Sequence, residues 1–74
     1  MPYQKIIKNL IQRIEINPRK LGGKPIIKGT RISVEQILKM LSAGVEIEEI
    51  QTNFPHIKKE DILAAVHYAT NLVE

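Results

Sequence analysis

The chain of 74 residues has no cysteine and no tryptophan, and only one phenylalanine and two tyrosines. Without cysteine there is no disulfide, which agrees with a reducing compartment. With so few rings, any core has to be aliphatic, and isoleucine dominates the apolar set. No apolar run approaches the ~18 residues that a membrane-spanning helix needs. The start, Met-Pro-Tyr-Gln-Lys, holds no continuous apolar segment, so no signal peptide is read there. Together these absences predict a cytoplasmic protein with no membrane span. Acid is also scarce in one half. Residues 1–39 hold nine of the eleven basic residues against only Glu15 and Glu35, a net of +7. Residues 40–74 hold Lys58 and Lys59 against six acids, a net of −4. A split of this size predicts a face that meets an anionic partner, beside the simpler reading of solvated lysines.

A chain this short makes one domain, residues 1–74, and buries only roughly 60% of its unfolded surface. Its apolar content of 43% is nevertheless too high for a disordered tail. Tyr3, Ile6, Ile7, Leu10, Ile11 and Ile14 recur at helical spacing, which predicts an N-terminal helix over about 3–11, within a segment 1–12. Its length, about two and a half turns, favours core packing or a dimer contact over a membrane-surface role. Arg13 to Ile16 switches to period two and stops at Asn17-Pro18. Pro25 opens a second strand, Ile26 to Ile32, with a bulge expected at Gly29-Thr30. The two strands form a hairpin over 13–32, which has to pack on helices or pair with a second copy.

Ser33 with Gln36 has capping-box spacing and opens a helix over about 34–43. Gly44 follows as its C′ residue, with Val45 folding back on Met40. A short helix over about 46–53 stops at Pro55. A last helix runs over about 59–72, with Ile62, Ala65, Val66, Ala69 and Val73 inward and Glu60 and Asp61 in its first turn. The fold class is therefore mostly α with a small β-hairpin. It reads as a homeodomain-like or winged helix-turn-helix bundle of three helices over 33–74, preceded by an N-terminal helix.

No catalytic pattern stands out. Gly23-Lys24-Pro25-Ile26-Ile27-Lys28-Gly29-Thr30 holds the ingredients of a phosphate loop in the wrong order, because that loop needs Gly-Lys-Ser/Thr at a helix start. His56 and His67 are the two histidines, too few and too unpatterned for a metal site. Ser33 is explained by capping, and no nucleophile has a base and an orienting group. The expectation is a protein that is not an enzyme and has no cofactor or metal.

The wording of residues 13–32 also resembles a known family. Arg13-Ile14-Glu15-Ile16-Asn17-Pro18 is followed by Gly22-Gly23-Lys24-Pro25-Ile26-Ile27-Lys28-Gly29-Thr30-Arg31-Ile32. Ala43-Gly44, Glu48-Glu49-Ile50, Phe54-Pro55, Glu60-Asp61-Ile62 and Ala64-Ala65 come later. Over about residues 10–70 the chain resembles the small bacterial family called domain of unknown function 433. The resemblance implies a helix-turn-helix-like fold and the antitoxin role in a type II toxin–antitoxin pair, opposite a PIN-like nuclease toxin. Lys58 departs from the family, which usually has Ser or Thr as the cap before the acidic pair. A missing cap costs roughly 1 kcal/mol unless something else supplies it.

For nucleic acid, the candidates are Lys24, Lys28 and Arg31 on the hairpin and Lys58, Lys59, His67 and Asn71 on the last helix. Arg19 and Lys20 are weaker phosphate candidates. The outward face of that helix is expected to hold Lys59, Glu60, Leu63, Ala64, His67, Tyr68 and Asn71, with no arginine to read guanine. For a protein partner, the candidates are Lys28 and Arg31. Arg31 follows Gly29-Thr30 directly, so fixed backbone aims it, either at a partner or at a local carbonyl or Glu35. Three readings remain open: an antitoxin that binds a toxin and its own operator DNA, a stand-alone DNA-binding regulator, and a structural dimer with no specific ligand. A homodimer through the hairpin or first helix is expected in each, since a small scaffold needs a partner to bury so much aliphatic surface.

Overall fold

The computed structural model describes the backbone of residues 2–71 and the side chains of residues 6–71. The order is α1 (Pro2–Ile11), β1 (Ile14–Ile16), β2 (Pro25–Ile27), α2 (Val34–Ser42), α3 (Ile47–Asn53) and α4 (Lys59–Thr70). A mostly α fold with a small antiparallel hairpin is what the apolar spacing predicts, and it is the kind of fold that small helical DNA-binding domains have. Ile14 pairs with Ile27, Glu15 with Ile26 and Ile16 with Pro25. The hairpin packs within the chain on α2 and α4, so it does not need a second copy to stand.

β2 is much shorter than its alternating isoleucines suggest. Instead of a bulge at Gly29-Thr30, the chain reverses there. The Thr30 N–H donates to Ile27 O at 3.0 Å, and the Ile27 N–H donates to Ile32 O at 2.9 Å. Gly29 sits at φ +80, a conformation that a glycine adopts without Cβ strain. Ile26 then meets Ser33 in an isolated antiparallel bridge. Arg31 therefore lies in a turn and not on a strand.

α2 starts where predicted, with Ser33 Oγ accepting from the Gln36 N–H at 2.9 Å. It ends in a Schellman motif: the Gly44 N–H donates to Leu41 O and the Val45 N–H to Met40 O, both at 3.0 Å. Gly44 adopts φ +87 to allow this. α4 is missing the usual hydroxyl cap at Lys58, yet its start is held. Asp61 Oδ2 reaches back to accept from the Lys58 N–H at 2.9 Å, which is the second half of a capping box.

The rotation of α4 differs from the prediction. Asp61, Ile62, Ala64 and Ala65 are buried and Tyr68 is half-buried. Ala64, expected outward, is 1% exposed, and Val66, expected inward, is 39% exposed. The buried stripe is Asp61, Ala64, Ala65 and Tyr68, an i, i+3, i+4, i+7 set. Apolar residues lie all around this helix, so apolar spacing alone left its phase open. Leu72 and Val73 lie outside the described residues, as does the side chain of Tyr3.

α4 is central, packing against α1, α2, α3 and β1. The core is aliphatic as expected: Ile26, Ile27, Ile37, Ile50, Ile57 and Ile62 are fully buried. Each such side chain contributes about 1.5–3 kcal/mol relative to exposure. α1 is peripheral. Ile7 and Leu10 are half-buried, while Ile6 and Ile11 stay more than half exposed. Among the described residues no helix is long and apolar enough to cross a membrane.

Candidate binding surface

The turn after β2 carries the two residues expected to meet a partner. Its backbone is fixed by a side chain of the turn itself, Thr30, and by one of β1, Glu15. Thr30 Oγ1 donates to Ile27 O at 2.7 Å and accepts from the Ile32 N–H at 3.0 Å. Across the hairpin, Glu15 Oε1 accepts from the Gly29 N–H at 3.3 Å. That backbone donor, assisted by Lys20, Asn17 and Lys28, holds the Glu15 carboxyl below the usual glutamate range. The Lys28 N–H donates to Arg13 O at 2.8 Å, closing the hairpin end.

Lys28 and Arg31 are both exposed, and neither is within 4.0 Å of a carboxylate among the described residues. Arg31 does not pair with Glu35. Lys24 does: its Nζ donates to Glu35 Oε1 at 3.2 Å, and this bond draws the Glu35 carboxyl below its usual range. Lys20 lies 3.8 Å from Glu15. Of the basic residues on the hairpin and its loop, Arg19, Lys28 and Arg31 thus have no carboxylate within 4.0 Å among the described residues, and Lys28 and Arg31 share one braced turn.

The candidates on α4 are spread along it. Lys58 and Lys59 are exposed at its start, His67 is half-buried and Asn71 is exposed just past its end. Twelve residues at 1.5 Å each separate the two ends by about 18 Å. The open stripe between them carries Leu63 and Val66. The structure therefore brings Lys28 and Arg31 together and does not gather the α4 residues into one cluster.

Sequence reasoning missed the polar centre of the molecule. Arg13 Nη1 donates to Asp61 Oδ1 at 2.9 Å, linking the residue before β1 to the first turn of α4. Asp61 is only 7% exposed. Nothing local marks its burial, because its partner Arg13 lies 48 residues away in the chain.

Comparison with known proteins agrees with this architecture. The model of the family described as Protein of unknown function (DUF433) matches residues 14–69. The chain is similar to the uncharacterized protein y4eO of Sinorhizobium fredii, with 34% identity over 53 residues, 72% of this chain and 24% of that protein. It spans about a quarter of that relative's length. It is also similar to a DUF433 member protein from Anabaena variabilis known from a crystal structure. That likeness has a TM-score of 0.78 at 30% identity and covers 95% of this chain and 69% of the other. The matched segment runs from the start of β1 almost to the end of α4, through the braced turn and the Arg13–Asp61 link's acidic end, and the chain belongs to the DUF433 family.

Proposed function

We propose that the protein is a non-catalytic binding module, the antitoxin of a type II pair, which docks its basic turn on a PIN-like nuclease toxin. The observation that carries this reading is the pair Lys28 and Arg31, exposed and with no carboxylate within 4.0 Å among the described residues, on a turn fixed by Thr30 and Glu15. PIN-like nucleases hold divalent metals with clustered carboxylates, so their catalytic groove is negative. Arginine offers a planar fork that binds carboxylate through two parallel bonds, which lysine does not match. A braced turn loses little conformational freedom on docking. In this reading Arg31 leads and Lys28 assists, covering the metal-binding carboxylates or the RNA path, in the cytoplasm. The protein acts as a homodimer that covers Ile6, Ile11, Ile16 and Leu21, four exposed aliphatic side chains near its N-terminal half.

Operator DNA is a second target in this reading, through phosphate contacts of Lys24, Lys28 and Arg31 and not through base reading by α4. The face of α4 that is open carries Leu63 and Val66, and its first turn is acidic. The deciding experiment is inhibition of a PIN-like nuclease, sought in the adjacent reading frames, by wild type, Arg31→Lys and Arg31→Ala. Loss of inhibition by Arg31→Ala, with the fold retained, supports docking through the turn. Full inhibition by folded Arg31→Ala ends this reading.

A further inference from the structure

A groove of about 450 Å3 is lined by residues of the hairpin, α2 and α4, none of them in the basic turn. Its floor is apolar: Pro25, Val34 and Leu38, with Tyr68 of α4 at one wall. Its rim is charged. Lys24 and Glu35 stand at one end and Lys39 further along. Ser42 marks the far end. The α2 residues involved fall at successive turns of one face, so the groove follows the helix for about 12 Å, eight residues at 1.5 Å each.

We infer that this groove receives an amphipathic helix of a protein partner, one with an aliphatic ridge flanked by acidic residues. Helix-in-groove recognition uses apolar anchors at i, i+3, i+4 and i+7, which a two-turn apolar channel accommodates. Charge selects the flanks. Lys39 has no acidic partner within 4.0 Å among the described residues, and the one acid on the rim, Glu35, is already bonded to Lys24 at 3.2 Å. The rim therefore presents net positive charge beside an apolar floor.

Among the described residues, no helix of a second copy supplies such a ridge. α1 exposes Ile6 and Ile11 beside Lys8, which has the same sign as the rim. α3 is acidic, but Ile50 is buried in its own core. α4 exposes Leu63 and Val66 beside both Lys59 and Glu60, with no net acidic flank. The occupant is a different chain. The inference adds a second attachment point to the antitoxin reading and rests on it only for the partner's identity, since the groove's chemistry is independent of the turn.

The test is an amide-resolved NMR titration of the full chain with two synthetic helical peptides of about four turns, roughly 14 residues. Both carry leucines at i, i+3, i+4 and i+7; one is flanked by glutamates and the other by lysines. The acidic peptide is expected to shift saturably the amides of residues 34–42 and those around Tyr68. Lys39→Glu is expected to weaken it roughly fivefold, as reversal of one exposed charge pair does, and to strengthen the lysine peptide. Glu35→Gln, which releases Lys24, is expected to strengthen the acidic peptide. Both substituted side chains are exposed, so the fold is kept. Shifts centred on Ile6, Leu63 or Val66, no saturable shift, or an affinity unmoved by Lys39→Glu overturn the inference. Concentration-dependent shifts of the same amides without peptide also overturn it, by showing a second copy in the groove. Nuclease inhibition by Arg31→Ala reads the turn alone, so failure of the antitoxin reading and failure of the groove inference are distinguishable.

Discussion

Arg13 and Asp61, 48 residues apart in sequence, meet at 2.9 Å and tie the hairpin to the start of α4. The same aspartate caps that helix through the Lys58 N–H. Asp61→Ala removes both bonds and is expected to cost about 2 kcal/mol, the sum of a lost cap and a partly buried ion pair. In a domain of this size that lowers the melting temperature by roughly 8–16 °C. Arg13→Ala is expected to cost less, because the cap survives. Thermal circular dichroism on the two variants checks the order; equal losses contradict the double role of Asp61.

Acid is expected to loosen the hairpin. Both Glu15 and Glu35 have carboxyls held below the ordinary value of 4.5, the first chiefly by the Gly29 N–H and the second by Lys24. A depressed folded-state value means that the stabilisation is fully present above 4.5 and is lost as the pH falls through the lower, folded value. The effect is modest, because solvent screens both groups. Glu15→Gln keeps an acceptor for Gly29 but cannot titrate. Melting curves from neutral pH down to about 3 should show a shallower acid-side fall for this variant. An identical fall points to other carboxyls.

Arg31→Ala is expected to leave stability within about 0.5 kcal/mol of wild type, since the side chain is exposed and has no carboxylate within 4.0 Å among the described residues. Chemical denaturation measures this directly. A large loss of stability would show that Arg31 braces the fold and would remove it from the docking surface.

The brace itself is Thr30. Thr30→Val keeps the shape but loses the bonds to Ile27 O and from the Ile32 N–H. The expected cost is about 1–2 kcal/mol. Nuclease inhibition should fall more steeply than stability does, because the turn is released while Lys28 and Arg31 are still present. Unchanged inhibition by this variant would show that the aim of Arg31 is unimportant.

Self-association is expected from Ile6, Ile11, Ile16 and Leu21. Sedimentation at high micromolar concentration should give a dimer in place of the 8.4 kDa monomer. Ile6→Glu and Ile11→Glu should each shift the equilibrium to monomer while the helical signal stays. A monomer in the wild-type protein refutes the dimer.

The helices were legible because local signals agreed with each other. Ser33 with Gln36, and Gly44 with Val45, mark the ends of α2 by bonds that involve only near neighbours. β2 was misjudged beyond Ile27, because the alternation to Ile32 looks like a strand whether or not Thr30 turns the chain. The reversal is made by backbone bonds at Ile27, by Gly29 at φ +80 and by one hydroxyl making two bonds, none of which alternation shows. Asp61 was legible as a first-turn acid and illegible as a buried one. Its partner Arg13 is far away in the chain, and both residue types usually face water. The basic turn was found through charge and glycine, while the α2 groove needed Tyr68, whose approach depends on the rotation of α4.

β2 lies between two stretches of its own chain: β1 along one side, and residues 32–33 along the other at Ile26 and Ile27. A sheet with an open side is a template on which other strands polymerise. Here Ile26 and Ile27 of β2 are engaged on both sides, so β2 is closed to strand addition, while the outer side of β1 carries no strand among the described residues. The same closure fixes how its recognition can evolve. No partner joins by adding a strand to β2, so, on the docking reading proposed above, a change of partner at the turn comes through exchange of side chains such as Lys28 and Arg31, with the backbone frame beneath them left as it is.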